Sequence, residues 1–405
     1  MKLDKVISRF LIFLYLSIPY LPLFGEIDRI ASQWAILSLV SFLSLIFLYF
    51  NSDLGKLFEI IKTKPIIFFG TFLLFSVLSF TQSVNITESL VEFFRYFSVF
   101  LLIIILPTLV SKYNYKFLIL LLIIFSCVDI IGIISQNHFG LPLIGFTGNK
   151  NIASASLLMK SNFLLYIIYR YDNIFSNILA IILLCSSYIV VLLIGSKAGL
   201  LSIFLIFIIL LITIIFKREI FKKNLIAIIP IILSIFLFTI GTETGEKNVL
   251  DGINQSSLSK DDGITDRLRY YSQATESFFE SPLLGIGLGN WKINSIKYDS
   301  PFMNNYIVQY HTHNDYIQLL AETGIGAVFY LLFILSIGFK IFKQFKNLDN
   351  QTSNYKSIWL ISVLCFLIYF IDSNLNFPAA RVVMQLNLAS LIAVLISLNL
   401  NGEIK

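Results

Sequence analysis

The chain alternates between apolar runs of about twenty residues and short polar links, and only one link is long. The apolar runs lie at approximately 8–24, 31–50, 65–81, 89–110, 117–136, 152–170, 174–194, 198–216, 224–241, 316–339, 357–373 and 379–399. Each is near the ~20 residues a helix needs to cross a hydrocarbon core. The pattern predicts an all-α polytopic membrane protein of about twelve transmembrane helices with one large loop. Three regions follow: a transmembrane bundle at 1–241, a loop at 242–315 and C-terminal transmembrane helices at 316–405. The turn Gly195-Ser196-Lys197-Ala198-Gly199 joins the seventh and eighth runs.

Composition supports this reading. The chain is 57% hydrophobic and 13% charged, against roughly 25% charged residues in soluble domains. The net charge of +6 does not indicate nucleic-acid binding. The lysines stand between apolar runs, where they set orientation. With the N-terminus in the cytoplasm, Lys2, Lys5, Arg9, Lys56, Lys62, Lys64, Lys112, Lys116, Lys217 and Lys340 fall inside. The short links opposite hold only Arg29, Lys150, Lys197 and Arg381. The long loop is then outside, together with His138, His311 and His313. Both termini are expected in the cytoplasm, with the basic N-terminus retained as the first helix. Cys127, Cys185 and Cys365 lie inside apolar runs, which excludes a disulfide framework or a Cys/His zinc site.

The loop opens with a Gly-, Asp-, Ser- and Asn-rich stretch at 242–263, expected to be either disordered or a flexible lid. A helix follows, with Thr265 or Asp266 as its cap and Ser281-Pro282 as its end. Leu268, Tyr271, Thr275, Phe278 and Phe279 recur at helical spacing, giving a face for the membrane surface or the bundle. Arg267, Tyr271 and Ala274 share the neighbouring stripe. Gly285-Ile286-Gly287-Leu288-Gly289 follows a helix and a proline rather than a strand, so it is read as a tight turn and not a dinucleotide loop. Asp261, Asp262 and Asp266 stand in too glycine-rich a segment for a rigid metal site.

The candidate chemistry concentrates here. His311, His313, Asn314 and Asp315 stand together before an apolar run, and an imidazole suits a general base acting on a hydroxyl. Arg267 and Arg269 offer guanidiniums that match a phosphate bidentately, although Arg269 fits a solvated helix face equally well. Lys197 stands at a costly position between apolar helices, either functional or snorkelling to the headgroups. Within the runs, Arg95, Asp129, Lys160 and Asp372 are ionisable at membrane depth, and Glu92 can pair with Arg95. Arg95, Asp372 and Arg381 lie near the outer ends of their runs, as candidates to line a cavity beneath the loop. Asn149, Lys150 and Asn151 open the sixth run from the same side.

Four stretches resemble the O-antigen ligase and polymerase superfamily of bacterial membrane glycosyltransferases. They are FTGNKNIASASL at 146–157, IGSKAGLL at 194–201, DRLRYYSQATESFFESPLLGIGLGNW at 266–291 and HTHNDYIQLLAETGIGA at 311–327. The resemblance implies a helical GT-C-like fold in the bacterial inner membrane. It implies transfer of a glycan from an undecaprenyl-diphosphate carrier to an acceptor hydroxyl, without nucleotide sugar, metal or other cofactor. By position, His313 would be the base or orient the acceptor, and Arg267 would hold the diphosphate. Lys197 stands where the family usually has arginine, which keeps the charge and loses the bidentate fork. The leading expectation is a ligase acting on the lipid A core; a polymerase joining lipid-linked repeat units is the nearest alternative. A protein-glycosylating ligase would share the donor. A transporter of lipid-linked sugars is the reading from another class, and it expects internal repeats and broken helices.

Overall fold

A computed structural model describes residues 2–21, 29–51, 54–113, 115–217, 223–243, 262–299 and 309–400. Among these residues the chain is helical throughout, with no strand. The N-terminal part contains α1 (Lys2–Ser17), α2 (Arg29–Phe50), the short α3 (Leu54–Ile61), α4 (Lys64–Leu78), α5 (Ile86–Tyr113) and α6 (Tyr115–His138). It continues through α7 (Lys150–Ser161), α8 (Leu164–Arg170), α9 (Ile174–Ile194), α10 (Lys197–Phe216) and α11 (Asn224–Glu243). The loop carries α12 (Asp262–Glu280) and α13 (Trp291–Asp299). The C-terminal part comprises α14 (Asp315–Thr323), α15 (Gly326–Lys343), α16 (Ser353–Leu375) and α17 (Val382–Leu400).

Among the described residues ten helices are long and apolar enough to cross a membrane, so the chain is a multi-pass membrane protein. The first predicted run forms α1, of 16 residues, and the last forms α17. The 242–263 lid expectation falls almost wholly outside the described residues.

Two predicted spans are broken. The run at 152–170 divides into α7 and α8 at Asn162 and Phe163. The run expected as one helix over 316–339 divides at Gly324, whose φ is +57°. A Cβ there would meet the Pro282 carbonyl oxygen at 2.5 Å, so this glycine admits the loop backbone at close range. The break detaches α14 from the membrane helix α15 and leaves it packed against α12.

The α7–α8 segment is 94% buried and forms the centre of the bundle. Buried within it, Lys160 pairs with Asp129 of α6, and Tyr20 bridges the two. The Tyr20 hydroxyl donates to Asp129 Oδ1 at 3.0 Å and accepts from Lys160 Nζ at 2.7 Å. An unpaired charge at this depth would be costly, and the pair removes that cost. Beneath the loop lies an aromatic core from α4, α5 and α15. Phe69 meets Phe333 edge-on at 4.9 Å, and Phe72 meets Tyr330 at 5.2 Å.

Candidate functional site

The segment before α14 is a short irregular turn that the helix cap fixes in place. Asn314 caps α14 by accepting from the Tyr316 and Ile317 amides at 3.0 and 3.1 Å. Its own amide donates to the Asn374 carbonyl at 3.3 Å. Asn314 is therefore a structural anchor in this geometry. The turn puts His313 in the left-handed region at φ +60°, the only such non-glycine residue among those described. The Tyr271 hydroxyl holds it there, donating to the His313 carbonyl at 3.1 Å and to that of Asn374 at 3.2 Å.

The helix that presents Arg267 packs differently from the sequence reading. It begins at Asp262 rather than at Thr265 or Asp266. Its buried stripe is Tyr270, Gln273, Ala274 and Ser277, while Leu268 and Phe279 of the expected face are exposed. The buried residues are small or able to hydrogen-bond, which the period of apolar residues alone does not reveal. Arg269 spends its charge on its own helix, bonding Asp266 at 3.1 Å and lying over the Tyr270 ring. Arg267 is different. Among the described residues it has no hydrogen bond or ion pair, and its charge reaches His313 and Asp372.

His313 Nδ1 is buried with no hydrogen-bond partner among the described residues. Burial and, after it, the Arg267 charge push its pKa down to about 4. The ring is therefore neutral near pH 7, with a lone pair to accept a proton. His311 is pushed down to about 3 by burial, then by the Arg381 and Arg95 charges. Its Nδ1 lies 3.4 Å from Gln318 Oε1.

Phe377, which the sequence reading passed over, lies between these groups. His311 stacks on its ring at 4.3 Å, His313 meets its edge at 5.2 Å, and the Arg381 guanidinium lies 5.0 Å from its centroid. The turn bearing Phe377 is pinned on both sides. Asp315 Oδ2 accepts from the Ala379 amide at 3.0 Å, and Gln385 Nε2 donates to the Pro378 carbonyl at 2.9 Å. The hydropathy pattern marks a link at 374–378 but not the place of Phe377, whose neighbours come from the His311–His313 segment and from Arg381.

On the His313 side, Asp372 accepts from the Asn376 amide, and Asn376 Oδ1 accepts from Asn151 Nδ2 at 2.9 Å. Asn151 Oδ1 accepts in turn from Ser196 at 2.8 Å, next to the exposed Lys197. The predicted glycine turn at Gly195 is present, with φ +65°, and Ser196 caps α10. Ser196, Asn151, Asn376 and Asp372 thus form one hydrogen-bonded network, with Lys197 next to Ser196 in the chain and the Arg267 charge reaching Asp372.

On the His311 side there is a cavity of about 170 Å³, whose lining includes Glu92, Arg95, Lys292, His311, Gln318, Glu322 and Arg381. The expected Glu92–Arg95 pair forms at 2.9 Å. Of the three ionisable residues expected to line a cavity, Arg95 and Arg381 do so; Asp372 faces the Asn376 network instead. Glu322 accepts from the Gly289 and Trp291 amides at 3.0 and 3.2 Å and from Gln318 at 3.2 Å. Burial nevertheless pushes its pKa up to about 7. The Gly285–Gly289 turn delivers those amides, with Ile286 and Gly287 amides also bonded to the Ala321 and Glu322 carbonyls at 3.0 Å.

Phe377 therefore stands between His313 and His311, and the cavity lies on the His311 side. No individual curated protein matches the chain. Residues 178–332, from α9 through the loop and α14 into α15, match the family model described as O-antigen ligase.

Proposed function

We propose that the chain is a glycosyltransferase of the ligase type. It moves a polysaccharide from undecaprenyl diphosphate to a hydroxyl of the lipid A core, at the periplasmic face of the inner membrane. The observation that carries this reading is the pairing of Arg267, unpartnered among the described residues, with the unbonded Nδ1 of a neutral His313. The match of residues 178–332 to the O-antigen ligase family model supports ligase- or polymerase-type chemistry in general; a transporter has no comparable support.

In the proposed step His313 takes the acceptor hydroxyl proton as the acceptor oxygen attacks the anomeric carbon. The bond from that carbon to the phosphate oxygen breaks, and the diphosphate leaves on its polyprenyl chain. Arg267 neutralises the departing charge, with Lys197 on the same side as a second cation. Arg269, engaged with Asp266, has a lesser part in diphosphate binding. Of the residues expected to shape a substrate cavity, Arg95, His311 and Arg381 line it, whereas Asn314 caps α14 and Asn151 bonds Asn376 and Ser196 outside it. The chemistry asks for no metal or other cofactor, because the sugar diphosphate is already activated. The apolar bundle accommodates the polyprenyl tail.

The test uses the purified full chain in lipid nanodiscs, with undecaprenyl-linked polysaccharide and lipid A core from the source organism. His313→Ala and Arg267→Gln should each abolish transfer while leaving the folded protein in the membrane. Normal turnover by His313→Ala sinks the base assignment. In a deletion strain, long polysaccharide held on the undecaprenyl carrier with a bare core identifies a ligase. Cores bearing single repeat units identify a polymerase.

A further inference from the structure

The cavity on the His311 side of Phe377 plays no part in holding the diphosphate as assigned above. Its lining distinguishes it from an anion site. Glu92 and Glu322 face the same 170 Å³ space as Arg95 and Arg381, and the third cation of the lining, Lys292, is already paired with Glu88 at 2.6 Å; two carboxylates would repel a second pair of phosphates. A hydroxylated ring, in contrast, needs both acceptors and donors. Glu92 and Glu322 accept from sugar hydroxyls, while Arg95, Arg381 and the Gln318 amide donate to ring and hydroxyl oxygens.

The lining is also preorganised. Glu322 is 2% exposed and held by two backbone amides and Gln318. Glu92 is held by Arg95. The neutral His311 closes the wall toward Phe377, backed by the stack at 4.3 Å. A rigid, polar, charge-balanced pocket beside an aromatic divider suits an uncharged polyol rather than a lipid tail or a phosphate.

We infer that this cavity is the acceptor subsite, binding one hydroxyl-bearing sugar ring of a saccharide acceptor and presenting its nucleophilic hydroxyl past Phe377 toward His313. The inference rests on the transferase reading, and it adds that donor and acceptor occupy separate compartments. Glu92 and Arg95 are then the residues that determine acceptor affinity.

The experiment measures binding separately from transfer. Full-length protein in nanodiscs is titrated calorimetrically with two delipidated saccharides from the source organism, its lipopolysaccharide core and its polysaccharide repeat unit. Farnesyl diphosphate serves as the donor-side probe. At least one saccharide should bind, and Glu92→Gln should weaken it about tenfold, or ~1.4 kcal/mol, without changing farnesyl diphosphate binding. Glu92→Gln is isosteric, and its thermal melt checks that the fold survives. The inference is overturned if neither saccharide binds, if Glu92→Gln binds the saccharide as the wild type does, or if Glu92→Gln alters farnesyl diphosphate binding instead. Absence of transfer in the wild type alongside Glu92-dependent saccharide binding would overturn the proposed reaction and leave the subsite standing.

Discussion

His311 lies flat against Phe377, with ring centroids 4.3 Å apart and planes 14° apart, while His313 approaches the same ring from its edge. One side chain therefore orients both imidazoles, and it also lies beneath the Arg381 guanidinium. Each aromatic contact is worth about 0.5–1.5 kcal/mol beyond burial. Phe377→Leu keeps the turn apolar and removes both ring contacts. Turnover should fall on the order of tenfold, since ~1.4 kcal/mol of lost orientation is a factor of ten in rate. The check is kcat in nanodiscs, with the melting temperature as the fold control. An unchanged kcat would show that the two rings are positioned by their backbone turn alone.

The left-handed backbone at His313 separates its structural role from its chemical one. For most side chains this conformation costs about 1–2 kcal/mol, and asparagine tolerates it better than alanine. His313→Ala should therefore be less stable than His313→Asn by about 1 kcal/mol, read as a lower melting temperature. Both variants should lack transfer, because neither side chain can take a proton at neutral pH. Activity in the asparagine variant would mean that the residue serves through its conformation.

The sequence made the fold class legible because a bilayer imposes a length and a polarity that no soluble helix shares. It also singled out His313, Lys197 and Arg95, which stand beside or within apolar runs, and Arg267 on the loop helix. It could not reveal Phe377, one phenylalanine among 39, whose importance arises from packing between α14 and α17. Nor could it reveal Glu322, which reaches its cavity because α14 separates from α15 at Gly324. The breaks in two spans were missed for the same reason. Each break falls at a short polar triplet, Lys160-Ser161-Asn162 and Glu322-Thr323-Gly324, but a triplet alone does not stop a helix, and contacts from distant segments decide where it ends. Asn314 was legible as polar, but its cap function depends on the helix beginning at the next residue.

The titration of the two histidines gives a signed prediction. Both folded pKa values lie below the ordinary 6.5, at about 3 for His311 and about 4 for His313. Their contribution to stability is fully present above pH 6.5 and is lost as the pH falls through those folded values. Melting temperature should therefore decline as pH falls from 6.5 toward 4, and less steeply in His311→Gln. Arg267→Gln removes the second cause of the His313 depression, so that pKa should rise. Mass-spectrometric rates of diethyl pyrocarbonate labelling at His313, taken across pH, would report it. A wild-type labelling inflection at 6.5, unmoved by Arg267→Gln, would place Arg267 too far away to share a substrate group with His313.

Lys160 and Asp129 form the deepest test of how the bundle is held. Both are buried, at 3% and 7% exposure, and Tyr20 satisfies each with a further hydrogen bond. Removing one partner strands the other charge in the bundle, a change typically worth 3–5 kcal/mol. Asp129→Leu should therefore lower the melting temperature sharply in detergent. The double variant Asp129→Leu with Lys160→Met removes both charges and should recover most of that loss, because apolar replacements of a buried pair are often neutral. Neither residue lies near Arg267 or the Glu92 cavity, so the double variant should retain transfer. If it folds and melts like the wild type yet no longer transfers, the ion pair belongs to the reaction rather than to the scaffold. If it melts as low as Asp129→Leu alone, the pair supplies more than charge compensation, and the Tyr20 bridge would be the next contact to remove.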